Sequence, residues 1–171
     1  MPHQAQRAAQ QLPRPSLRCN NMAAHQHLLY HIVFSTKDRR PLLQEDEFRE
    51  ATWAYMAGVV SNLGGHPVII GGHFDHAHLL VRIPAKTAVA DFVRQVKANT
   101  SKHVNDSRDA VLKFRWQNGY GAFTVSRSQE PTVATYIRNQ VEHHRKRTFK
   151  EEYLDLLRRH DIEPDERYVW E

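Results

Sequence analysis

The run Gly72-His73-Phe74-Asp75-His76-Ala77-His78-Leu79-Leu80-Val81 constrains this chain more than any other stretch, because it reads as a strand with two unlike faces. Side chains at i and i+2 leave a β-strand on the same side. His76 and His78 therefore face one way, and Ala77, Leu79 and Val81 face a core on the other. Two imidazoles on one face make a divalent-metal half-site that needs a third ligand and a partner to fix each ring's tautomer. Asp75 is adjacent and could serve one of the rings. The alternative is a histidine pair on a solvated sheet face.

A second segment, Ser128 to His144, has the marks of a helix. Ser128 is a candidate N-cap, with Glu130 and Pro131 in the first turn, where a carboxylate and a missing N–H are both tolerated. Val133, Ile137 and Val141 recur every four residues as an apolar stripe. Tyr136 and Gln140 form a second stripe, and residues four apart share a helix face. A phenol and an amide aimed at a two-histidine site suggest phosphoryl chemistry; a Tyr at the core edge beside a solvated Gln is the plainer reading.

The remaining elements alternate in type. The patterns predict strands at 28–35, 67–71 and 76–83, with Gly71 and Gly72 turning between the last two. Helices are predicted at 45–63 and 87–103, the second facing the core with Val89, Phe92, Val93 and Val96. Residues 114–126 read as a long strand or a hairpin interrupted at Asn118-Gly119, and 149–159 as a further helix packing over the site or a partner. The order βαββαβ describes an α+β, ferredoxin-like sheet with helices on one face, followed by the helix bearing Tyr136.

With these pieces in order, the chain resembles the single-tyrosine HUH transposases of small bacterial insertion sequences, the IS200 type. Residues 30–37 with Arg39 and Arg40, the His76-Ala77-His78 strand, residues 119–126, Tyr136-Ile137-Arg138-Asn139-Gln140 with His143 and His144, residues 149–153 and residues 165–168 carry the likeness. The resemblance implies that Tyr136 is the nucleophile, that His76, His78 and Gln140 hold a metal, and that the substrate is single-stranded DNA with hairpin ends. It also implies a homodimer whose Tyr136 helix serves either its own or its partner's metal site. A phosphotyrosine intermediate would let strands be rejoined without ATP.

The residues agree with that chemistry. A phenol has a pKa near ~10, so Tyr136 needs a base or a polarised target at neutral pH. Two imidazoles and an amide suit Mg²⁺ or Mn²⁺, with Mn²⁺ the better match to imidazole. No Walker-type phosphate loop occurs, so no nucleotide cofactor is expected. Two other readings fit the same residues: a metal-dependent nuclease using water, and a noncatalytic nucleic-acid-binding module.

Composition sets the outer bounds. A chain of 171 residues, 40% of them hydrophobic, suffices for one core, read here as a single domain over 24–171. A net charge of +5 favours a polyanionic partner. Lys37, Arg39 and Arg40 after the first strand, and Arg94, Lys97 and Lys102 on the second helix, are candidate phosphate contacts, with Trp116 and Tyr120 as candidate stacking platforms. His143 and His144 could help bind metal or DNA, and read more simply as helix-surface positioning residues. Residues 1–23 carry Arg7, Arg14 and Arg18 but no acid, and read as a disordered basic tail or a misassigned start before Met22. The one cysteine, Cys19, excludes an intrachain disulfide and points to a reducing bacterial cytoplasm. No apolar run is long enough to span a membrane.

Overall fold

In the computed structural model, residues 25–108 and 112–165 are described. The expectations for residues 1–23, Cys19 among them, and for the end of the chain from Glu166 lie outside them. The elements are β1 (Leu29–Ser35), a 3-10 turn (Lys37–Arg39), α1 (Asp46–Asn62), β2 (His66–Gly72), β3 (His76–Arg82), α2 (Val89–Ser107), β4 (Gly121–Thr124), α3 (Glu130–Arg138), α4 (Gln140–His143) and α5 (Phe149–Arg159). The four strands are antiparallel in the order β2-β3-β1-β4.

The β1–β3 register pairs Ile32 with Leu79, Val33 with His78, Phe34 with Ala77 and Ser35 with His76. Ile32, Phe34, Ala77, Leu79 and Val81 turn to one face and are buried against Trp53, Met56 and Val60 of α1 and Phe92, Val93 and Val96 of α2. Helices α1 and α2 thus share one face, as the pattern predicts. The opposite face, which the βαββαβ order leaves open, is covered by α3 to α5. There Leu29 and Leu80 meet Ile137, and Val33 and Phe123 meet Phe149, Tyr153, Leu156 and Leu157 of α5. Strand β3 is covered on both sides, which is why apolar residues break the simple alternation at Leu80.

Four expectations are corrected. The single helix over 128–144 is two helices that break at Asn139 (φ −95°, ψ 18°). Ser128 is not the cap; Gln129 precedes the helix without a side-chain cap bond, and Ser128 Oγ lies 3.0 Å from Ser126 Oγ. With the helix broken, Val141 leaves the stripe of Val133 and Ile137 and is exposed. The strand expected over 114–126 shrinks to β4, preceded by an isolated bridge between Trp116 and Thr36. Lys97 reaches across to accept this outcome: its Nζ donates to the carbonyls of Gln117, Asn118 and Gly119 at 2.6, 2.9 and 3.1 Å. A loop whose carbonyls converge on one ammonium does not pair as a strand.

Two glycines set the site's geometry. Gly72 has φ +154°, and a Cβ there would lie 2.2 Å from the His76 carbonyl oxygen, so the tight return into β3 requires glycine. A Cβ at Gly71 would lie 3.0 Å from both Cγ2 and O of Ile137, so this glycine lets α3 lie close on β2 beside Tyr136. Gly71→Val is expected to overpack this contact at a cost of about 1–3 kcal/mol. A urea titration should show a lower midpoint at unchanged slope; an unchanged midpoint would mean α3 is free to shift.

Candidate active site

His76 and His78 stand on the sheet face covered by α3 to α5, both fully buried. The break at Asn139 does not separate Tyr136 from Gln140. The two side chains converge on the carboxylate of Glu152, from the first turns of α5. Tyr136 Oη and Gln140 Nε2 both donate to Glu152 Oε1, the amide at 2.9 Å. The other oxygen, Oε2, lies 3.5 Å from His78 Nε2, 3.6 Å from His76 Nε2 and 3.0 Å from His144 Nε2.

Glu152 is placed by its own helix start. Thr148 and Glu151 form a capping box in which Thr148 N donates to Glu151 Oε2 at 2.9 Å and Glu151 N donates to Thr148 Oγ1 at 3.3 Å. Phe149, Tyr153, Leu156 and Leu157 then bury one face, and Glu152 falls inside that stripe. A carboxylate is buried only when it is paired, and here donors and imidazoles surround it.

A carboxylate fixes the tautomer of His76. Asp75 Oδ1 lies 2.7 Å from His76 Nδ1, so that nitrogen carries the hydrogen and donates, directing the Nε2 lone pair into the site. Asp75 does turn toward a ring. His78 Nδ1 lies 2.9 Å from Nε2 of the buried His31, and His78 Nε2 makes no hydrogen bond among the described residues. His78 Nε2 points inward as well, 3.5 Å from Glu152 Oε2. Gln140 donates its amide hydrogen to Glu152 and so turns Oε1 toward His76 Nε2, 3.1 Å away. Lone pairs facing one another are repulsive unless a proton or a cation lies between them. Two imidazole nitrogens, an amide oxygen and a carboxylate oxygen therefore fit a divalent cation, and the ligating atoms of His76, His78 and Glu152 lie within 4.8 Å of one another.

Electrostatics reinforce this picture. Burial would raise the Glu152 pKa, but His78, the hydrogen bond from His144 and His76 outweigh it and hold the carboxyl far below its usual range. Burial pushes the Tyr136 phenol up, and the Glu152 charge pushes it further, so Tyr136 is protonated here. Burial keeps His31 and His78 below the usual imidazole range; the charge of His78 adds to this at His31, while Glu152 opposes it at His78. His144 is the exception. Both its nitrogens face oxygens, Nδ1 toward Arg147 O at 2.8 Å and Nε2 toward Gln140 and Glu152, and although burial opposes it, the Glu152 bond and charge raise its pKa.

Residues 24–140 match the family model described as Transposase IS200 like. The chain belongs to the IS200-like transposases. The transposase for insertion sequence element IS200 of Salmonella typhimurium is 28% identical over 118 residues, covering 66% of this chain and 76% of that protein, and the Salmonella typhi protein matches equally. Two solved structures share the fold. A Deinococcus radiodurans R1 protein described as a transposase candidate has TM-score 0.55 at 23% identity, over 69% of this chain and 94% of its own. A REP-associated tyrosine transposase bound to a REP hairpin has TM-score 0.53 at 11% identity, over 72% and 74%.

The basic residues singled out as DNA contacts separate into two groups. Lys37, Arg39 and Arg40 follow β1 at the site end, where Thr36 N donates to Asp75 O at 2.7 Å; Lys37 and Arg40 each lie 3.7 Å from Asp38. Arg94, Lys97 and Lys102 ride on α2, across the sheet from Tyr136. Arg94 pairs with Asp91 at 3.2 Å, Lys102 pairs with Asp106, and Lys97, its pKa lowered to about 8 by burial, is held by the three carbonyls. Trp116 is a core residue, edge-on to Phe34 and Phe114, while Tyr120 is half-buried at the core's margin.

Sequence reasoning gave His31 and Glu152 no role of their own and left His144 on the helix surface, where the structure turns it to Gln140 and Glu152, and it missed the Arg145-Lys146-Arg147 run that lines a cleft beside His73, Phe74 and Asp75. The signal for Glu152 was available. It stands three residues after Phe149 and four before Leu156, on the face that the apolar residues mark as buried.

Proposed function

We propose that this chain cleaves and rejoins single-stranded DNA at insertion-sequence ends, with Tyr136 as the nucleophile. The observation that carries the reading is the shared carboxylate: Glu152 accepts the Tyr136 hydroxyl on one oxygen and faces His76 and His78 with the other. As the bond from Tyr136 Oη to phosphorus forms and the phosphorus–O3′ bond breaks, Glu152 orients the phenol, whose proton is released to solvent, and the departing O3′ takes a proton from solvent. The product is a 5′-phosphotyrosine and a free 3′-hydroxyl. Attack by a 3′-hydroxyl on that linkage reverses the step and joins strands without ATP.

Mg²⁺ or Mn²⁺ held by His76, His78, Gln140 and Glu152 would supply Lewis-acid withdrawal of charge from the phosphate. Asp75 and His31 orient the two imidazoles, and α3 and α5 enclose the nucleophile. Lys37, Arg39 and Arg40, with the Arg145–Arg147 run, supply positive charge at the site end of the sheet and suit a phosphate backbone. Hairpin-ended DNA is the proposed substrate, in keeping with the hairpin bound by one fold neighbour. A homodimer acting in the bacterial cytoplasm belongs to the same reading, with Tyr136 working on the histidines of its own chain. Among the described residues no helix is long and apolar enough to cross a membrane.

The test uses the full chain and its Tyr136→Phe variant with labelled single-stranded DNA carrying the element's own ends and Mn²⁺. A denaturant-resistant protein–DNA adduct is expected with the unaltered chain alone and is lost with chelator. Cleavage without an adduct would replace this reading with a water-using nuclease, and binding without cleavage would replace it with a noncatalytic module.

A further inference from the structure

The largest cavity near Tyr136 plays no part in the chemistry above. It has a volume of ≈ 530 Å³ and lies between β4, α3 and α5, with Tyr136 as one wall. Its floor is aromatic: Phe123 is buried and stacks on His160 with ring centroids 4.3 Å apart and planes 25° apart. Its rim is polar. Gln129 and Thr132 stand at the start of α3, and neither side chain makes a hydrogen bond among the described residues. Arg159, paired with Asp155 at 2.8 Å, brings positive charge to the same mouth.

An apolar, ring-lined cleft of this size with a few convergent polar groups fits one flat heterocycle. The exposed amide of Gln129 offers a donor and an acceptor side by side, the pairing that reads a base edge. Tyr136 lines this cavity and its Oη donates to Glu152, so the cavity and the candidate site share the nucleophile's side chain. We infer that this cavity binds the nucleobase of a nucleotide flanking the scissile phosphate, turned out of the strand and read by Gln129 and Thr132. Single-stranded DNA makes this inexpensive, because no base pair is broken to turn the base out. The base anchors the strand on one side of the attacked phosphorus while the basic residues near Asp75 hold its backbone on the other, which fixes the phosphate in line with Oη.

This inference rests on the attack by Tyr136 proposed above, so the experiment first maps the phosphate cleaved by the unaltered chain on the element's end. Full-length Tyr136→Phe is then titrated, with Mn²⁺, against that oligonucleotide and versions in which each nucleotide near the mapped phosphate is made abasic in turn. One flanking position is expected to weaken binding about tenfold, the size of one lost base contact. Thr132→Trp, which fills the cavity from an exposed position, should weaken binding similarly and abolish the abasic penalty at that position, with Mn²⁺ affinity unchanged. Gln129→Ala should flatten the preference among the four bases there. A uniform abasic series, or a penalty that survives Thr132→Trp, overturns the cavity assignment and leaves Tyr136 as the nucleophile. Absence of any cleavage by the unaltered chain overturns both.

Discussion

Glu152→Leu should melt on the order of 10 °C below the unaltered chain, whereas Glu152→Gln should keep most of that stability yet bind Mn²⁺ about 10–100-fold more weakly. The two variants separate the carboxylate's two duties. Leucine fills similar space but leaves the buried hydroxyl of Tyr136 and the amide of Gln140 without an acceptor, and it strips the counter-charge from His144. Breaking a buried charge pair from one side costs about 3–5 kcal/mol, because the remaining group stays desolvated and unpaired. Glutamine keeps an acceptor for Tyr136 and Gln140 but gives up the negative charge facing His76 Nε2 and His78 Nε2. Thermal melts without metal and calorimetric titration with Mn²⁺ read the two effects apart. If Glu152→Gln bound Mn²⁺ as tightly as the unaltered chain while His76→Ala did not, Glu152 would be a structural partner of the phenol only.

The importance of Glu152 shows which parts of this molecule its sequence discloses. His76-Ala77-His78 was legible because a two-residue period admits one geometry, and the β3 register bears it out. The core face of α2 was legible for the same kind of reason, since Phe92, Val93 and Val96 repeat at helical spacing. Site residues contributed by tertiary packing were not. Nothing local to His31 predicts that β1 will bring it 2.9 Å from His78, forty-seven residues away. Glu152 was overlooked because a glutamate on an amphipathic helix ordinarily faces water, although its place among Phe149, Tyr153 and Leu156 marked it as buried. The break at Asn139 escaped notice because Tyr136 and Gln140 keep helical spacing on either side of it, and a continuous pattern does not reveal a local change in backbone angles.

Acidification should destabilise the metal-free chain in two stages, the first beginning near neutrality. Burial holds His31, His73, His78 and His143 below the unperturbed value of 6.5, and His73, also repelled by His144 and His76, falls to about 4. Below 6.5 the unfolded chain therefore binds protons that the folded chain refuses. Each such proton adds a slope of about 1.4 kcal/mol per pH unit, so stability falls as the pH drops from 6.5. His144 acts in the opposite sense, since its raised pKa gives a contribution that is complete below 6.5 and fades as the pH rises through the folded value. Four lowered imidazoles against one raised leave the net direction downward on acidification. Glu152 supplies the second stage: its carboxyl is depressed in the fold, so its contribution is complete above 4.5 and is lost as the pH falls from there toward the folded value. Urea midpoints measured from pH 8 to pH 4 should rise slightly toward 6.5, as His144 takes up its proton, and decline below it. Mn²⁺ should raise the midpoints most at the high-pH end, because imidazole ligands bind metal only when unprotonated. Midpoints that kept rising below pH 6.5 would show that His31, His73, His78 and His143 take up protons in the folded chain despite their burial.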